Sequence, residues 1–206
     1  ALGVIGDPDA VAPLLAWGGP YLNAGTDEQA LDIAWVLLPA LIRLRADSPG
    51  ARALYRRAID IHGGNPAILQ FAQLGLAVAG DAPAAAALAA TMAEAGFGAL
   101  APGAAPVAIE ACAAQPGLMG KDYVRLEIQS GTFPLQYRAL QACALTRADA
   151  DMLAALAGNA HAHPAVASLA LLSLWRVDSQ RGVAVARAAA QAFVARERIE
   201  MDEGMA

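Results

Sequence analysis

The stretch Asn65-Pro66-Ala67-Ile68-Leu69-Gln70-Phe71-Ala72-Gln73-Leu74-Gly75-Leu76-Ala77-Val78-Ala79-Gly80-Asp81 decides how this chain is read. Ile68, Ala72, Leu76 and Ala79 recur at steps of four, four and three, which is one face of an α-helix. Pro66 suits the first helical turn, because its missing N–H would have no intrahelical partner there. The run stops at Asp81, and an Ala-rich run begins behind it. A second stretch repeats this grammar: His163-Pro164-Ala165-Val166-Ala167-Ser168-Leu169-Ala170-Leu171-Leu172-Ser173-Leu174-Trp175-Arg176-Val177-Asp178. Pro164 matches Pro66, Val166 matches Ile68, Ala170 matches Ala72, Leu174 matches Leu76 and Val177 matches Ala79. A shorter phrase near the start, Leu2-Gly3-Val4-Ile5-Gly6-Asp7, echoes Leu76 to Asp81. Repetition of this kind marks a stacked helical array.

Each phrase ends in an aspartate that can cap the next helix. A carboxylate there accepts from free first-turn N–H groups, and its charge suits the helix N-terminus. Asp7, Asp81, Asp149 and Asp178 are therefore read as structural caps, not as a catalytic carboxylate set. The spacing predicts helices over 8–18, 27–45, 50–62, 66–79, 82–95, 104–114, 118–130, 134–147, 149–158, 164–177 and 179–200. Gly18-Gly19-Pro20, Ser48-Pro49-Gly50, Gly63-Gly64-Asn65-Pro66, Pro102-Gly103, Gln115-Pro116-Gly117 and Gly131-Thr132-Phe133-Pro134 read as the breaks between them. No strand-like alternation persists. The stripe Leu135-Ala139-Cys143 is shifted against Pro134, and the layer near 97–117 reads as irregular.

Composition narrows the class. Hydrophobic residues make up 57% of the 206 positions and charged residues only 16%, against roughly 25% in ordinary soluble domains. Much of the helical surface must therefore face other helices. A membrane span needs about 20 nearly uninterrupted apolar residues. The best candidates fail, since Ala30 to Leu44 holds Asp32, Pro39 and Arg43, and Ala67 to Ala90 holds Gln70, Gln73, Asp81 and Pro83. The expectation is a cytoplasmic chain with no membrane contact. It opens on Ala1 inside a helical phrase, with no signal-peptide pattern, and reads as a fragment of a longer chain. A net charge of −5 argues against a nucleic-acid partner, which calls for a basic surface. Cys112 and Cys143 lie in Ala-rich runs and read as small buried hydrophobes.

Few residues carry chemistry. His161-Ala162-His163 could contribute to a metal site only if further ligands converged, and His62 is far away in sequence. The pair reads as polar loop, with His163 as an N-cap, and neither metal nor cofactor is expected. Gly63-Gly64-Asn65-Pro66 reads as a plain turn. Arg43, Arg45, Arg52, Arg56 and Arg57 form the basic cluster, and Arg52 and Arg56 share a helix face. They could be a solvated edge paired with Asp47 and Asp60, or a docking point for an acidic partner, since Arg can grip carboxylate in bidentate fashion. Trp17, Trp35 and Trp175 fall at helical core spacing and read as packing.

Leu2 through Leu15, and Pro164 through Asp178, resemble a HEAT repeat of the kind found in phycobilin lyases. The resemblance implies an all-α fold, a right-handed α-α superhelix of about five antiparallel helix pairs in one domain over 1–206. It also implies that the second helix of each pair lines a concave binding face. Gln70, Gln73, Gln136, Arg138, Gln141 and Ser168 are the polar positions on such helices. Together with the Arg cluster, Gln70, Gln73, Arg138 and Gln141 are the candidate partner-binding residues. The family includes scaffolds, adaptors, lyases and some DNA-repair enzymes, so fold alone does not choose among them. The His-Glu dipeptide of HEAT-like di-iron hydroxylases is absent. The expected function is a non-catalytic scaffold or adaptor for a protein or peptide. The alternative is a subunit of a bilin-lyase-like enzyme, holding a chromophore or its acceptor protein. Arg187 to Glu200 reads as a capping helix, whereas the N-terminal end is uncapped and open to self-association.

Overall fold

Capping chemistry places most helix starts. The computed structural model describes residues 7–24 and 28–203; the side chains of residues 23, 24 and 193–203 lie outside that description. The phrase Leu2 to Gly6 and the charged run Arg196 to Glu200 fall there too, so neither the N-terminal end nor the cap is addressed. Asp7 accepts from Asp9 N at 3.0 Å and opens a 3-10 turn at Pro8–Ala10 that leads into α1 (Val11–Ala24). α2 is Glu28–Arg43 and α3 is Pro49–His62, capped by Ser48. α4 is Pro66–Val78, with Asn65 accepting from Ala67 N at 3.1 Å and Ile68 N at 3.3 Å. α5 is Ala82–Thr91, where Asp81 accepts from Ala84 N at 3.1 Å. α6 is Ala104–Ala114, α7 Tyr123–Ser130, α8 Leu135–Ala142 and α9 Ala150–Ala157. α10 is Pro164–Val177 and α11 is Ser179–Glu203. The described residues are all-helical, with no strand.

Four local expectations are corrected. The break at Gly18-Gly19-Pro20 does not form, because α1 runs through it. Packing overrides propensity there: a Cβ on Gly18 would lie 2.5 Å from Leu37, so glycine lets α1 approach α2 closely. α7 starts at Tyr123 and not at residue 118. Gly117 and Gly120 have φ of +84° and +77°, a left-handed backbone that glycine adopts without cost. Asp122 then accepts from Arg125 N at 3.1 Å. α8 stops at Ala142, five residues early. Asp149 does not cap α9 with its side chain; it reaches back to Thr146 N at 2.8 Å and to Thr146 Oγ1 at 3.1 Å. That is a capping box, and it turns residues 146–149 into a helix start where a helix end was expected.

Contacts group the chain into two compact units, Ala1–Glu127 and Ile128–Ala206. In the first, α2, α4 and α6 all touch one another, while α1 packs on α2 and α3, and α3 and α5 pack on α4. In a strictly linear stack each repeat touches only its neighbours, so the α2–α6 contact draws three successive pairs around one core. Phe71 sits at that core, edge-on to Trp35 at 5.4 Å and 85°. Tyr55 of α3 lies on Gly75 of α4, where a Cβ would fall 2.3 Å from the ring. Within the 97–117 layer, Gly96–Ala99 is a 3-10 turn that buries Phe97, whereas α6 is regular and buries seven of its eleven residues. In the second unit α10 packs on α8, α9 and α11, and Val166, Ala170 and Leu174 form its buried stripe.

Candidate functional site

The basic cluster gathers at the ends of helices in the first unit. α2 ends in a Schellman arrangement, with Arg45 N donating to Ile42 O at 2.9 Å and Ala46 N to Leu41 O at 3.0 Å. Arg45 takes the left-handed position, φ +52°, that glycine usually fills. Its guanidinium compensates by donating to Ala114 O, at the end of α6, at 2.9 Å. Arg43 pairs with Glu110 on the same helix at 2.7 Å. Arg52 donates to Asp47 O at 2.9 Å and to Ala79 O, the carbonyl that ends α4. Arg56 lies 3.6 Å from Asp81, the cap of α5. Cations at helix C-termini satisfy orphan carbonyls and complement the macrodipole. Four of the five arginines are thus engaged inside the unit, through Glu110 and Asp81 where Asp47 and Asp60 carboxylates were expected. Arg57 is exposed and makes no ion pair among the described residues.

The polar candidates separate in the same way. Gln70 Oε1 accepts from Ala101 N at 2.8 Å and ties α4 to the irregular layer. Gln73 is half-buried on the same helix. In the second unit Gln136 is buried and donates to Ile128 O at 2.9 Å. Arg138, Gln141 and Ser168 are exposed. The structure therefore brings the five arginines to one set of helix ends, and places Arg138 and Gln141 on α8 of the other unit.

The histidines do not converge. His62 is buried in α3. His163 caps α10, its Nδ1 accepting from Ala165 N at 3.3 Å, with its ring stacked on Phe133 at 3.8 Å. Among the described residues no three His, Cys, Asp or Glu side chains are placed to hold a metal ion. Burial, helped by the charge of Asp122, pushes the Cys112 thiol up to about 12, so it stays protonated. No helix of the described residues is long and apolar enough to cross a membrane.

The aromatics differ most from expectation. Trp17 is 51% exposed, Trp35 41% and Trp175 57%. Trp35 does pack, against Phe71 and over Gly103. Trp17 and Tyr21 stand four apart on α1, half in water, on the same helix face. That pair was hidden in the sequence because the helix was expected to end between them. No protein-family profile, curated protein or solved structure matches this chain.

Proposed function

We propose that this chain is a non-catalytic scaffold or adaptor, a HEAT-like helical repeat that holds a protein or peptide partner. The observation that carries the reading is the exposed Trp17–Tyr21 pair on α1. Trp and Tyr, with Arg, are the side chains most enriched at binding hot spots. The engagement of Arg43, Arg45, Arg52 and Arg56 with partners in their own unit argues in the same direction. These guanidiniums hold helix ends, and Arg57 makes no ion pair among the described residues. The Trp17–Tyr21 face suits a partner that presents an apolar helix or strand edge.

The test is affinity capture with the wild-type chain and with the W17A/Y21A double variant, matched for melting temperature. A hot-spot pair contributes a few kcal/mol, so capture of the partner should fall by roughly a hundredfold. Equal capture by both proteins would remove the α1 face from the reading. Co-purification of a coloured tetrapyrrole in place of a protein would favour the lyase-like alternative.

A further inference from the structure

The second unit contains a pocket of about 460 Å³ between the end of α8 and α10. Its size falls within the range of small-molecule sites. Leu140 and Leu169 contribute apolar wall, while Gln141, Cys143, Ser173 and Arg176 bring polar groups to it. Leu169, Ser173 and Arg176 follow one another at steps of four and three, so one face of α10 supplies that side.

Two of these groups have no protein partner among the described residues. Ser173 is only 8% exposed, and its hydroxyl makes no hydrogen bond among the described residues. A helical serine commonly satisfies itself on the carbonyl four residues back; Ser173 does not, and its oxygen is open to solvent in the pocket. Arg176 makes no ion pair among the described residues. Arg147 lies 3.5 Å from Asp178 and Arg181 pairs with Asp151, whereas Arg138 and Arg187, like Arg176, make no ion pair among the described residues. Arg176, Ser173 and Gln141 thus line one pocket together with leucine side chains.

We propose that this pocket binds a small amphipathic carboxylate, with one carboxylate head and an apolar body of about six to ten carbons. The planar fork of Arg176 matches a carboxylate in bidentate geometry. Ser173 and Gln141 supply neutral donors to the remaining lone pairs. A single cation balances the single negative charge of a carboxylate. Leu145, Leu169 and Val177, each half-buried, offer apolar surface to the chain of the ligand. This site is independent of the proposed partner face on α1, and either can fail without the other.

Cys143 lines the same pocket and reports its occupancy. The test is the rate of Cys143 alkylation by iodoacetamide, read by mass spectrometry, with octanoate as the probe and octan-1-ol as its neutral match. Buried Cys112 is the internal control. At the ligand efficiency of such small molecules, octanoate should half-saturate at roughly 1 mM. It should slow Cys143 alkylation at least fivefold with Cys112 unchanged, and octan-1-ol at equal concentration should not. R176Q, at an exposed position, should keep the wild-type melting temperature and weaken protection roughly tenfold, the effect of one charged hydrogen bond. Absence of protection by octanoate, equal protection by the alcohol, or unaltered protection in R176Q would each overturn the proposal.

Discussion

α4 and α10 share a phrase and live in different surroundings. Pro66 and Pro164 both stand in the first turn, and the stripes Ile68-Ala72-Leu76 and Val166-Ala170-Leu174 are both buried. Beyond the stripe they diverge. α4 buries eight residues, including Phe71, Leu74 and Gly75, because α2, α3, α5 and α6 all pack on it. α10 buries four, and Leu172 and Trp175 on it are more than half exposed. The same apolar spacing thus makes a central helix in one unit and a partly wet one in the other. A stripe specifies that one face will be covered; it says nothing of the other faces.

The pair also shows how small residues set approach. Gly75 and Ser173 occupy the same place in the phrase, seven residues after Ile68 and Val166 respectively. Without a Cβ, Gly75 accepts the Tyr55 ring on the helix backbone. Ser173 keeps a side chain and lines a pocket. The exits differ by one residue. After α4, Gly80 turns left-handed at φ +89°, Gly80 N donates to Ala77 O and Asp81 N to Leu76 O, and only then does Asp81 cap α5. After α10 there is no glycine. Asp178 N donates to Leu174 O at 2.7 Å while its carboxylate accepts from Arg181 N at 3.2 Å, so one extended residue closes one helix and opens the next.

If centrality separates the twins, deletion should expose it most. Phe71→Ala should cost about 3–5 kcal/mol and Leu169→Ala less than about 2 kcal/mol, because Leu169 is only half-buried. Chemical denaturation followed by circular dichroism measures both, and equal losses would break the distinction. The next contrast is Gly75→Ala against Ser173→Ala. The first drives a methyl into Tyr55 and should cost about 1–3 kcal/mol. The second removes a hydroxyl that makes no hydrogen bond and adds a better helix former, so it should lie within about 0.5 kcal/mol of wild type, on either side. A large loss for Ser173→Ala would mean the hydroxyl is structurally engaged.

Smaller effects belong to the helix ends. Gly80→Ala should cost about 1 kcal/mol through its positive φ. Asn65→Ala should cost about 1 kcal/mol as well, since it removes a cap bonded to two N–H groups. His163→Ala removes a cap with a single 3.3 Å bond and should cost about half that. Thermal melts of the three variants, read at one pH, would rank them; a reversed order of the two caps would show that the Phe133 stack matters more than the cap.

Much of the architecture was legible before any coordinates. Eleven helical segments were expected, and the described residues hold eleven α-helices in the same order. Helix starts were the better half of that reading, because a cap is a local bargain between one side chain and the next two or three N–H groups. The Thr146-to-Asp149 box was equally local and was overlooked, as the shifted Leu135-Ala139-Cys143 stripe suggested one continuous helix. The candidate site was far less legible. Arginines close in sequence suggested a surface, yet their partners, Glu110, Ala114 O, Ala79 O and Asp81, come from elsewhere in the chain.

By itself the sequence determined the class of the molecule, the order of its helices and the capping of most of them, since propensity, periodicity and first-turn hydrogen bonds act within a few residues. Only tertiary structure decided that α1 runs through Gly18-Gly19-Pro20, that α4 is central and α10 is not, that four arginines find partners at distant helix ends, and that Trp17 and Tyr21 face water. Each of those outcomes depends on what a distant segment brings to the same place, and a distance across the fold is not encoded in any local spacing.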